Sequence, residues 1–167
     1  MITHMNLDDF LHLELKDGTV IIQFLPELAP RHVLQIKQLV WQKFYDGLTF
    51  HRVIDGFMVQ GGCPHGTGNG GVTQTIPAEF SDEKHLRGIC SMARTQDPDS
   101  ASCQFFICLA DAPQLDGQYT IWGKVVEGIE LIDNIKKGDP KKNGMVENPD
   151  KIISMRLAAF TPIEIKR

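Results

Sequence analysis

The sequence predicts a mainly β fold: a closed eight-stranded antiparallel β-barrel capped by two α-helices, in a single domain spanning residues 1–167. Three observations predict it. Apolar and polar residues alternate in several short runs bounded by Gly, Asp and Pro, the period of a half-buried strand. Only two stretches carry the three- and four-residue spacing of an amphipathic helix. Strands and helices do not alternate along the chain, which argues against a parallel βαβ sheet. An antiparallel sheet closed on itself, with helices over its open ends, disposes of strand edges and apolar helix stripes together.

The elements follow in order. Leu11, Leu13 and Leu15 alternate with His12, Glu14 and Lys16, and Asp17-Gly18 then supplies the turn of a tight hairpin. Val20, Ile22 and Phe24 continue the alternation until Pro26. Pro30 suits the first turn of a helix, and Val33, Ile36, Val40 and Phe44 recur on one face of it, giving about four turns closed by Asp46-Gly47. Phe50 to Val53 and Phe57 to Gln60 read as short strands around Asp55-Gly56, followed by a glycine-rich loop from Gly61 to Gly71. Leu86 to Ala93, Gln104 to Leu109 and Ile121 to Val126 are further strands. A short helix over Ile129, Ile132 and Ile135, a polar loop from Gly138 to Asp150 and a closing strand from Ile152 to Phe160 complete the chain.

Composition excludes several classes. Hydrophobic residues make up 42% and charged residues 23%, the balance of a globular domain, and the net charge is -4. No basic stripe exists, so no nucleic-acid partner is expected. Lys136, Lys137, Lys141 and Lys142 are interspersed with Asp139, Glu147 and Asp150, which reads as a solvated loop. No run approaches the ~20 apolar residues of a membrane span, and Met1 to Asp9 lack the basic start and apolar centre of a secretory signal. A cytoplasmic monomer with no membrane partner is expected, with residues 1–8 as a loose tail. The four cysteines, Cys63, Cys90, Cys103 and Cys108, match no zinc or redox spacing and read as free buried thiols. Gly66 to Gly71 formally matches GxGxxG, but no helix pattern follows it. GxSxG and HExxH are missing from the sequence, and no metal or other cofactor is expected.

Two segments carry unusual side-chain combinations. Strand alternation places Phe50 with Arg52, and Met58 with Gln60, so an arginine and a glutamine share surfaces with large apolar groups. In Ser102 to Cys108, alternation separates Gln104 and Phe106 from Phe105 and Ile107. One reading makes the Gln104/Phe106 face a ligand surface. The other has Phe106 and Met58 filling a barrel interior and Arg52 as a surface charge. Alternation alone leaves both open.

The strings FHRVIDGFMVQGG, SMART, SCQFFICL and LDGQYTIWGKVVEGIELID resemble the signature segments of cyclophilins, in the right order, and GTVIIQFLPELAPRHVLQI resembles that family's second strand and first helix. The similarity runs from about Leu11 to Phe160, and its MART string and long GDPKKNG region look closest to bacterial or small cytoplasmic members. The resemblance implies a peptidyl-prolyl cis-trans isomerase acting on proline-containing peptide segments. It implies Arg52 as the catalytic arginine, oriented by Gln60. Phe57, Met58, Phe106 and Leu115 would form a proline pocket, Gln104 would contact the peptide backbone, and Ala93 and Arg94 match the peptide-binding strand end. Two positions depart from the family pattern. Gln114 stands where cyclosporin-sensitive members carry tryptophan, which implies weak cyclosporin binding. Tyr119 stands where many members carry histidine; it can still wall the pocket and offer a hydroxyl. The alternative is a non-catalytic proline-peptide-binding or chaperone module on the same scaffold.

Overall fold

Strands β1 (Phe10–Leu15) and β2 (Gly18–Phe24) form the expected hairpin, and Leu11, Leu13, Leu15, Val20, Ile22 and Phe24 are all buried. The computed structural model describes residues 7–160. Leu15 pairs with Gly18, so the two-residue loop is Lys16-Asp17, one position earlier than the Asp-Gly signal suggests. Of the expected loose tail, residues 1–6 lie outside the described residues, whereas Leu7–Asp9 form a 3-10 turn against a second such turn, Ala158–Phe160.

Helix α1 (Pro30–Trp41) starts at its proline and buries Val33, Ile36, Leu39 and Val40. It stops short of Phe44: the Gln42 N–H bonds the Gln38 carbonyl and Lys43 then enters the left-handed region at φ 59°. Strands β3 (Arg52–Ile54), β4 (Met58–Gly61), β5 (Ile89–Met92), β6 (Phe105–Cys108) and β7 (Ile121–Glu127) follow, then helix α2 (Ile129–Asp133) and strand β8 (Ser154–Leu157). Eight strands and two helices thus agree with the sequence pattern; β3, β5, β6 and β8 are shorter than expected, and β7 runs one residue further.

All pairings are antiparallel, in the order β3-β4-β6-β5-β7-β2-β1-β8. The barrel expected from the sequence does not close. The edge strands β3 and β8 do not pair with each other, and the sheet is a curled, open half-barrel. Irregular chain laces the seam instead. The Gly47 and Phe50 amides donate to the carbonyls of Ile152 and Asp150, and the Val53 amide donates to the Gly144 carbonyl, at 2.7–2.9 Å. Such covering satisfies edge-strand groups without a regular ladder. Gly138 is required by this lacing: its amide donates to the Val53 carbonyl, and a Cβ there would lie 1.7 Å from the Gly144 carbonyl oxygen.

The concave face is filled. Trp122 packs on Phe24 and Phe105 at centroid distances of 5.8 and 5.9 Å, and Phe105 takes Tyr45 and Phe50 edge-on. The Tyr45 hydroxyl donates to the Cys103 carbonyl at 2.8 Å, so its one polar group is satisfied inside the core.

Phe105 is fully buried at the centre of this aromatic cluster. Phe105→Ala is expected to cost about 3–5 kcal/mol of unfolding free energy. A urea denaturation midpoint within error of the parent would contradict that placement.

Candidate functional site

Strand register builds the site. Arg52 pairs with Gln60, Gln60 with Phe106 and Phe106 with Ser91, so these four side chains form one row across β3, β4, β6 and β5. With neighbouring strands ~4.8 Å apart, the Cα atoms of Arg52 and Phe106 are roughly 10 Å apart. Val53, Val59, Phe105 and Ile107 alternate onto the opposite face and enter the main core. Met58 and Phe106 belong to a second, outer apolar cluster with Ile89, Cys108 and Ile121. The reading that places Met58 and Phe106 in the barrel interior is therefore overturned. Phe50 and Arg52 do not share a face: Phe50 lies before β3 begins, where alternation does not hold, and is buried in the core.

A cavity of about 420 Å³ opens on the outer face. Of the residues singled out from sequence, Arg52, Phe57, Met58, Gln60, Ala93, Arg94, Phe106, Leu115 and Tyr119 line it together. Gln104 is not among them; it lines an adjoining groove of about 320 Å³ that shares Gln60, Ala93 and Arg94 with the first. Gln114 lines neither and is exposed on the 3-10 turn Pro113–Leu115.

Arg52 is held by neutral oxygens. Its Nη1 donates to Gln60 Oε1 at 3.1 Å, its Nε to the Asn143 carbonyl at 2.9 Å and its Nη2 to Asn143 Oδ1 at 3.1 Å. Burial pulls its pKa below the ordinary arginine value, with the nearby Tyr119 opposing the shift. Gln60 Nε2 donates to Gln104 Oε1 at 3.0 Å, and Gln104 Nε2 donates to the Gly68 and Gly70 carbonyls at 2.9 and 2.7 Å. Gln104 thus spends both amide hydrogens on the glycine-rich loop and positions Gln60. Asn143 was not identifiable as a site residue, because the loop 138–150 reads as solvated polar chain. Its only local signal is turn chemistry: Asp139 caps the 3-10 turn Pro140–Lys142, and Asn143 follows at φ 56°.

The apolar half of the site is braced from behind. Phe106 is 5% exposed and stacks on the buried His85 ring at 6.2 Å, while Tyr119 meets it edge-on at 5.8 Å. His85 is fixed by Asp116 at Nδ1 (3.2 Å) and Ser91 Oγ at Nε2 (3.0 Å). Burial lowers the His85 pKa, outweighing the opposing pull of Asp116. The glycine-rich loop wraps Cys63, whose Sγ accepts the amides of Gly68 and Gly70 at 3.3 and 3.2 Å. At its start, a Cβ on Gly61 would lie 2.9 Å from both the Phe50 ring and the Thr49 carbonyl, so the close approach of the loop to the core requires glycine. Among the described residues no group of three or more His, Cys, Asp or Glu side chains is placed to hold a metal ion.

Residues 10–157 match the family model described as cyclophilin type peptidyl-prolyl cis-trans isomerase/CLD. A probable peptidyl-prolyl cis-trans isomerase of Brucella abortus (strain 2308) is 49% identical over 162 residues, covering 89% of this chain and 82% of the relative. Peptidyl-prolyl cis-trans isomerase B of Bacillus subtilis (strain 168) is 46% identical over 136 residues, covering 80% of this chain and 94% of its own. The crystal structure of the cyclophilin AquaCyp293 from Hirschia baltica superposes with a TM-score of 0.84 at 26% identity, over 96% of this chain and 77% of that one. A cyclophilin type isomerase from Cryptosporidium parvum, crystallised in the presence of the dipeptide Ala-Pro, gives 0.81 at 28% identity, over 89% of this chain and 98% of that one.

Three buried imidazoles, His32, His51 and His85, have pKa values lowered from 6.5, in each case chiefly by burial. The unfolded chain therefore binds more protons than the native one just below pH 6.5, and stability falls as pH drops through that window. The urea midpoint is expected to be lower at pH 5.5 than at pH 7.5. A midpoint constant over that range would show that these rings are not held neutral.

Proposed function

The chain belongs to the cyclophilin-type peptidyl-prolyl cis-trans isomerases, and on that premise we propose that Arg52 catalyses rotation about Xaa-Pro bonds by donating a hydrogen bond to the prolyl nitrogen in the twisted transition state. As an isomerase of this family the protein accelerates an exchange that takes tens to hundreds of seconds unaided. The two isomers differ by only about 0.5–1 kcal/mol, so the barrier alone needs lowering. No nucleophile or proton transfer is needed for a bond rotation.

In the planar amide the prolyl nitrogen shares its lone pair with the carbonyl. As the bond twists, that lone pair localises and becomes an acceptor. A donor fixed at that point stabilises the twisted state more than the planar one. Arg52 suits the task because three of its five N–H groups are anchored on Asn143 and Gln60, leaving one on each terminal nitrogen to face the groove. The proline ring sits against Phe106, Met58, Phe57 and Leu115, with Tyr119 as a side wall. Burial of that ring contributes on the order of 1–2 kcal/mol, so affinity is modest and many proline-containing segments are accepted as substrates. Ala93 lies at the end of β5 with its amide engaged by the Gln104 carbonyl at 3.0 Å, a position from which the neighbouring backbone can guide an extended peptide. The observation that carries this reading is the placement of a neutral-anchored guanidinium and an apolar pocket in one groove.

A single-domain, monomeric, cytoplasmic protein completes the proposal. The four cysteines are unpaired and buried, as suits a reducing compartment. Gel filtration and cell fractionation test both points.

Arg52→Ala is expected to lower kcat/KM by roughly 10²–10³, with a urea midpoint close to the parent's. A normal rate in a protease-coupled Xaa-Pro peptide assay refutes the assignment. Cyclosporin binds weakly in this reading, because Gln114 offers neither an indole ring face nor its N–H at the groove's edge. Gln114→Trp should therefore tighten cyclosporin binding in a fluorescence titration, and unchanged affinity counts against the role given to this position.

A further inference from the structure

Among the described residues, Arg52, Arg87, Arg94 and Arg156 are held in two ways. Arg87 is clamped by both oxygens of Asp133 at 2.7 Å, and Arg156 by both oxygens of Asp46 at 2.8 and 2.7 Å. Those charges are neutralised where they stand. Arg94 also makes three hydrogen bonds, but all of them to neutral groups. Its Nε and Nη2 donate to the Gln118 carbonyl at 3.2 and 2.6 Å, its Nη1 donates to the Thr95 carbonyl at 2.8 Å, and its guanidinium lies 4.5 Å over the Tyr119 ring. One N–H on each terminal nitrogen is left over. Arg94 lines both the main groove and the adjoining one, so it stands on the ridge between them.

No aspartate or glutamate lines either groove, although the chain carries a net charge of -4. The acids nearest in sequence are engaged in their own loop. Asp97 Oδ1 accepts the Asp99 amide and Asp99 Oδ1 accepts the Ala78 amide, each at 2.9 Å. The groove is therefore a local concentration of uncompensated positive charge on an acidic protein.

We propose that Arg94 is a specificity-determining residue that favours substrates with an acidic side chain close to the proline. This rests on the isomerase reading above and extends it to the chemistry of the flanking residues. The guanidinium is pre-organised by its carbonyl contacts and by Tyr119, so pairing with a carboxylate immobilises little that is not already fixed. Its distance from the pocket sets the range. By way of the Tyr119 ring it lies within about 10 Å of the Phe106 ring. Consecutive Cα atoms are about 3.8 Å apart, so an Asp or Glu one or two residues from the proline covers that span. The pair would be solvent-exposed, which fixes its scale at roughly two- to fivefold.

The test is a peptide series with Glu, Gln or Lys placed in turn at the two positions on each side of a single proline, with kcat/KM measured by protease-free exchange NMR. Glu should exceed Gln by roughly two- to fivefold at one or more positions, and Lys should fall below Gln there. In Arg94→Gln the Glu/Gln ratio should approach one. The ratio is read within each enzyme, so any general loss of binding cancels. Raising salt to roughly 0.5 M should shrink the wild-type ratio. A ratio near one everywhere, or one that survives in Arg94→Gln, overturns the proposal; in the latter case the charge acting is another, such as Arg52. Should Arg94→Gln not fold, the Arg94 Nε–H resonance of the wild-type protein should move with the Glu peptide and not with its Gln counterpart, and equal shifts overturn the proposal. Failure of the wild-type protein to isomerise even the Gln series defeats the parent reading instead.

Discussion

The site depends on holding a guanidinium without neutralising it. Arg52 could be fixed most strongly by a carboxylate, as Arg87 and Arg156 are. A carboxylate about 4 Å away at the surface of a protein attracts it by on the order of 4 kcal/mol before solvation is counted. A twisted imide nitrogen carries no full charge and could not compete with that. Amide and carbonyl oxygens give direction with a much weaker electrostatic claim. Each acceptor must then be oriented by something else. Gln60 is oriented by Gln104, and Gln104 by two carbonyls of the glycine-rich loop. The chain of amides runs in one sense, each Nε2 donating to the next oxygen, so a flip of either glutamine would set donor against donor.

Strand β6 links that arrangement to the stability of the fold. Phe105 and Phe106 are adjacent in sequence and both nearly fully buried, yet they serve different clusters. Phe105 is the hub of the core aromatics, and Phe106 is the floor of the groove. A shift of β6 by one residue would exchange their faces and empty both sites at once. The register that packs the core is thus the register that places Gln60 and Phe106 side by side. The His85–Ser91–Asp116 cluster behind Phe106, in which His85 and Ser91 are buried, adds a polar brace to that register, because Ser91 is the cross-strand partner of Phe106.

Much of this was legible in the sequence. The alternating hairpin, the proline-initiated helix and the number of strands follow from period and turn chemistry, and nine of the side chains picked out by family resemblance do gather in one groove. What was not legible has specific causes. All four residues of β6 are buried, so alternation carries no sign of which face is core and which is site. Phe50 sits before β3, and an alternation carried back from Arg52 puts it on the wrong side. Asn143 lies 91 residues from Arg52 in a loop of lysines and prolines, and nothing local marks where that loop docks. The two-way use of arginine also has no sequence signature, since partners such as Gln118 act through the backbone.

The barrel's failure to close is part of the same economy of placement. A regular ladder between β3 and β8 would pair the outer edge of β3 with a strand whose side chains alternate above and below the sheet. An irregular loop is freer. Between Gly138 and Val146 it still satisfies the edge amide and carbonyl of Val53 and the carbonyl of His51. A left-handed residue within it turns one side chain and one carbonyl toward the same guanidinium. A strand residue cannot do both, because its carbonyl lies in the plane of the sheet while its side chain stands perpendicular to it. The seam is therefore where the fold gives up regular hydrogen bonding and gains a bidentate neutral clamp, and Asn143, with an amide side chain and tolerance of positive φ, is a residue type suited to both demands.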